Sequence, residues 1–154
     1  MLIETDNTKS LPYTSNDDRV LGIIESGRLP NYYLDRFFTG AILRAIKRVG
    51  RCGCEWGKWA NEWQSGENLT KAAADKAADI ATDHFCKQMK AHFLSAKWTA
   101  IAASCFANYE YVKAQRALMQ AAAFGEWLNG KAMEEENNKQ LNSISIFTKE
   151  MQSC

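Results

Sequence analysis

Cysteine and histidine are the residues in this chain whose types and spacing could do chemistry. Cys52-Gly53-Cys54 and His84-Phe85-Cys86 together offer four zinc-type ligands. Both groups fall in stretches that read as helical, where residues two apart point in different directions, and neither has Cys-x-x-Cys spacing. The expectation is therefore structural thiols, a half-buried histidine and no metal or other cofactor. For nucleophilic catalysis, Cys86 or Cys105 can be paired with His84 or His92 only on paper. No strand–turn–helix elbow accompanies them. Cys105 lies among apolar residues and reads as core, whereas Cys154 is terminal and reads as exposed. Glu134, Glu135 and Glu136 read as one solvated helix face. Gly50, Gly53 and Gly57 fall within helical phase rather than in a phosphate-cradling loop. No catalytic residue is assigned, and the chain reads as a non-enzyme.

A basic stripe is the better functional feature. Arg36, Arg44, Lys47 and Arg51 collect on one helix face, where they suit phosphates or an acidic protein surface. Tyr32, Tyr33 and Phe37 lie close by in sequence and add stacking surfaces. The alternative is a solvated back face balanced by acidic residues elsewhere. The stripe has no helix-turn-helix pattern, so sequence-specific DNA reading is not indicated.

These side chains need helices to position them. The segment Trp56–Ala81 reads as two helices folded back on each other. Trp56, Trp59 and Trp63 share one side of the first. Gly66 suits a left-handed helix end, and Asn68 fits the N-cap of the next helix. Ala73, Ala77 and Ala81 then form a stripe that admits a close neighbour. Upstream, a short helix over 19–25 stops at Ser26-Gly27, and Pro30 opens a second in its first turn. Phe38, Ala41, Ala45, Val49 and Cys52 stay in phase with the tryptophans. That phase predicts one long helix to Gln64, bent near its glycines, or two shorter helices joined near Gly50-Gly53. A third helix runs from Leu69 to about Met89, and a fourth from Ser95 to Leu128. A last polar helix follows Asn129-Gly130. The fold class expected is all-α, an antiparallel bundle of four to five helices. Residues 1–15 read as a flexible leader, 16–142 as the bundle, and 143–154 as a C-terminal tail.

Composition agrees with one globular unit. The chain has 154 residues, of which 46% are hydrophobic and 24% charged, enough to bury a core without metal support. A net charge of +1 argues against a generally basic nucleic-acid binder. Only two prolines occur, which favours helices over a turn-rich β-sandwich. Five cysteines is an odd count, and the polar start lacks the apolar region of a signal peptide. Lys97 interrupts the best apolar window, so no membrane span is expected. The expectation is a cytoplasmic protein with reduced thiols.

The Trp-x-x-x-Trp helix end, the Ser65-Gly66-Glu67 turn and the alanine repeats, over roughly residues 56–141, resemble small alanine-rich helical proteins of bacteriophage and bacterial genomes, immunity proteins among them. This chain is less alanine-rich than that group and carries more aromatic and cysteine residues. The resemblance implies a phage or mobile-element setting and assigns no catalytic residue. Two functions are expected from different classes. One is a non-enzymatic protein that binds and blocks a macromolecular partner in bacterial defence. The other is a small-ligand binder that sequesters a phosphorylated metabolite or nucleotide. A pocket lined by the basic stripe and the aromatic residues would favour the second. Alanine-lined faces also suit a homo-oligomer.

Overall fold

The computed structural model describes residues 15–50, 54–129 and 131–153. The leader read over 1–15 thus lies outside the described residues except for Ser15, as do Arg51, Cys52 and Cys154. The described chain is all-helical. Its elements are α1 (Ser15–Glu25), α2 (Asn31–Val49), α3 (Glu55–Gln64), α4 (Lys71–Gln88), α5 (Ala91–Ala107), α6 (Tyr111–Asn129) and α7 (Ala132–Gln152). None of these helices is long and apolar enough to cross a membrane.

The sequence reading of the helix ends leaves one choice open and needs three corrections. The long helix from Pro30 breaks into α2 and α3, because Gly50 adopts φ +84°, which a helix cannot contain. This is the alternative of two shorter helices. The fourth helix also divides, into α5 and α6, at a turn centred on Tyr109, whose φ is +61°. Asn68 is not the cap of α4. It takes φ +50° and donates to Glu62, while Thr70 Oγ1 accepts from the Ala73 N–H at 3.1 Å. Residues 143–152 are no separate tail, since α7 continues through them and buries Ile144 and Phe147. Seven helices are therefore described where four to five were expected.

Small side chains set the packing. Ala74, Ala77, Ala78 and Ala81 of α4 are buried, as are Ala96, Ala100 and Ala103 of α5 and Ala114, Ala117 and Ala121 of α6. Two- and three-residue links join α4, α5 and α6, and these three helices share the densest contacts. The alanine faces that suit self-association are thus buried within the chain. Ser95 Oγ donates to the Ala121 carbonyl at 2.9 Å, tying α5 to α6 through a close approach.

Large residues fill the space that remains. Phe38 of α2 lies stacked against Phe106 and Tyr111, each with ring centroids 5.6 Å away. Trp56, Trp59 and Trp63 are all buried, as their spacing predicts. Trp56 Nε1 donates to the Ala96 carbonyl at 3.0 Å, fixing α3 on α5. α2 meets α5, α6 and α7, while α1 lies against α6 and α7.

Candidate functional site

Among the described residues, the thiols and imidazoles form no metal-holding group. His84 and His92 both lie against Phe93, with centroids at 5.2 and 4.0 Å. Burial, and then the charge of Lys90, pushes His92 below the ordinary histidine value. Cys86 is exposed and Cys105 half-buried, both as free thiols. Burial raises the Cys105 pKa, which disfavours its thiolate. Among the described residues, no group of three His, Cys, Asp or Glu side chains could hold a metal ion. The expectation of reduced thiols is corrected at Cys54, which is disulfide-bonded. Its backbone is extended (φ −97°, ψ 178°), just ahead of α3, where the sequence reading places it in a helix.

One triplet looks reactive at first sight. Ser104 Oγ donates to Asp75, and Lys71 Nζ donates to the other Asp75 oxygen at 2.7 Å. Lys71 Nζ also lies 3.4 Å from Ser104 Oγ. A serine–lysine pair needs a neutral lysine to take the hydroxyl proton. Here the hydrogen bond to Asp75 raises the Lys71 pKa, so the ammonium stays protonated. The arrangement ties α4 to α5.

The basic stripe is mostly turned to structural use. Arg44 makes a bidentate pair with Glu136 of α7, Nε to Oε1 at 2.9 Å and Nη2 to Oε2 at 3.0 Å. Arg48 Nη1 joins the same carboxylate at 3.1 Å. Glu136 is 0% exposed, which corrects the reading of residues 134–136 as one solvated face. A carboxylate buried this far requires both cations and hydrogen bonds, because desolvation of an ion costs several kcal/mol. Gln140 supplies one of those bonds at 2.9 Å, and it exchanges two more with Gln115 of α6. Arg36 pairs with Glu150 at 3.0 Å and stacks over Phe147 at 4.9 Å. Tyr33 also lies against Phe147, at 5.2 Å. Tyr32 and Lys47 are exposed. Phe37 is a correction: at 2% exposure it belongs to the core, edge-on to Phe38, and offers no stacking surface.

An accessible concavity lies elsewhere. A cleft of about 450 Å³ opens where α2, the end of α3, the approach to α4 and the end of α5 meet. Trp63, Ala103 and Phe106 line it, together with Leu43, Leu69 and Tyr109. The last three are among the few large apolar side chains left exposed. Asp35 is the one charged residue in the lining, and among the described residues no cation pairs with it. No known protein family, curated protein or solved structure matches this chain. The lining is mostly apolar, with Asp35, Thr39 and Gln64 as polar side chains among it, a composition that suits a binding concavity.

Sequence reasoning missed this cleft for a clear reason. Leu43 falls outside the apolar phase of its segment, and Leu69, which begins the third helix in the sequence reading, lies in the link ahead of α4. Tyr109 sits in a turn that helical periodicity ran straight through. Asn108, a residue that favours helix ends, was the available signal.

Proposed function

We propose that this chain is a non-enzymatic interaction protein that binds and blocks a macromolecular partner, docking it in the cleft between α2, α3 and α5. The observation that carries the reading is the convergence of exposed Leu43, Leu69 and Tyr109 on one concavity floored by Trp63 and Phe106. Exposed apolar side chains gathered at one place, with a polar group beside them, are the usual form of a protein-binding surface. The phage or mobile-element setting, and a role in bacterial defence, enter this proposal from the resemblance alone. A cytoplasmic setting goes with it where Cys54 is reduced in the cell, since cytosolic disulfides are rare. The other function, sequestration of a phosphorylated ligand, draws no support from Arg36 and Arg44, because carboxylates already occupy both guanidinium groups.

The test is affinity purification from the native source with a cleft variant alongside. Wild type is expected to retain a stoichiometric partner, and Leu43→Glu with Leu69→Glu to lose it while still unfolding cooperatively, with a melting temperature lower by no more than about 8 °C. Both leucines are partly exposed, so their replacement alters folding by about 1 kcal/mol or less. A partner still held by the double variant, but released by Lys47→Glu, would move the site to the basic face.

A further inference from the structure

Two helix ends line the cleft, and they use the same turn. At the end of α3, the Glu67 N–H donates to the Glu62 carbonyl at 2.8 Å and the Gly66 N–H to Trp63 at 3.1 Å. At the end of α5, the Glu110 N–H donates to Cys105 at 2.8 Å and the Tyr109 N–H to Phe106 at 3.0 Å. Both turns place their central residue in the left-handed region, φ +84° for Gly66 and +61° for Tyr109. Glycine suits that position because it has no Cβ to clash, and a bulky residue there is strained. Gly66 follows the rule and Tyr109 breaks it. The ring is not held there by packing, for Tyr109 is 77% exposed. Its nearest aromatic contact is an edge-on approach to Tyr111 at 6.5 Å.

Position supplies the reason that the turn does not. Tyr109 stands between two concavities, the 450 Å³ cleft on one side and a shallower depression of about 510 Å³ on the other. Ile24, Glu25, Val112 and Lys113 line the second. Charge across both is one-sided. Glu110 is already paired with Lys113 at 3.0 Å. Asp35 and Glu25 are in no ion pair among the described residues, so the charge left over is negative. Apolar walls beside unpaired carboxylates complement a segment that is apolar on one face and basic on its edge. An exposed tyrosine ring serves such a segment twice, as an apolar contact and as a face for a cation.

We infer that Tyr109 is the anchor of a docking site for a cationic amphipathic peptide segment of a protein partner, with Asp35 reading its positive charge. This rests on the docking reading of the cleft and adds the chemistry of the partner. It also sets a sign opposite to the anionic partner that the basic stripe suggested.

Two fluorescein-labelled amphipathic helical peptides with one leucine pattern, one lysine-based and one glutamate-based, test it by anisotropy against the full chain. The lysine peptide is expected to bind saturably and at least about tenfold more tightly than the glutamate peptide. Tyr109→Gly should weaken the lysine peptide about tenfold or more, the usual loss at an anchor residue. The same change should raise the melting temperature, a combination that no folding defect can produce. Asp35→Asn should weaken binding and flatten its salt dependence. Equal binding of the two peptides, no binding of either, or a Tyr109→Gly variant with full affinity would each overturn the inference. The docking reading survives any of these outcomes if the native partner is still lost on changing Leu43 and Leu69. It fails, and this inference with it, if that double variant retains the partner.

Discussion

Trp56 and Trp59 are alike in burial and differ in one polar atom. Their rings meet at 5.8 Å in the same core. Trp56 Nε1 donates to the Ala96 carbonyl at 3.0 Å, whereas Trp59 Nε1 is buried without a partner. Both lose similar apolar contact on replacement by phenylalanine, so the hydrogen bond decides the difference. Trp56→Phe is expected to destabilise more than Trp59→Phe by about 1 kcal/mol, the net value of one such bond plus part of the orphan's relief. Urea denaturation of the two variants measures it, and a larger loss at Trp59 would contradict the account. The tryptophan spacing predicted burial for both and distinguished nothing between them. An indole N–H finds or misses its carbonyl according to the neighbouring helix, which the spacing does not contain.

Between elements, Glu136 is the junction that joins α7 to α2. Its carboxylate accepts from Arg44 and Arg48 on one side and from Gln140 on the other. Removing one partner of a buried ion pair leaves the other charge uncompensated, at a cost of about 3–5 kcal/mol. Glu136→Ala should therefore unfold the chain at markedly lower denaturant, while Glu135→Ala, on the exposed neighbour, should change little. Equal midpoints for the two variants would show that the buried pair contributes nothing. Reversing Arg44 to Glu likewise sets two carboxylates together in a dry place. It is a change to folding, and it does not test ligand binding. The surface reading of Arg44 failed because periodicity places a residue on a face without saying what that face meets.

For the molecule as a whole, His92 gives stability a pH dependence of known sign. Burial, and then Lys90, lowers its pKa below the ordinary value of 6.5. Between the lower folded value and 6.5, the unfolded chain binds a proton that the folded chain does not. Stability therefore rises with pH across that window, and this contribution is lost as the pH falls through the folded value. The melting temperature of wild type should climb more steeply with pH, just below the ordinary histidine value, than that of His92→Gln. Parallel curves would remove His92 as the cause.

The sequence by itself determined the class of this fold. Few prolines, alanine at helical spacing and a tryptophan face in phase leave helices packed on helices as the way to bury that surface. Gly66 marked its turn for the same local reason, since a left-handed residue without a Cβ carries no strain. Tertiary structure decided the rest. A glutamate in a run of three became the most buried charge among the described residues because α2 happened to bring two arginines to it. Tyr109 ended a helix against its local preference. Leu43 and Leu69, far apart in the chain, came to share one cleft. Local spacing records the face a residue occupies on its own helix, and a site made by several helices exists only once they have packed.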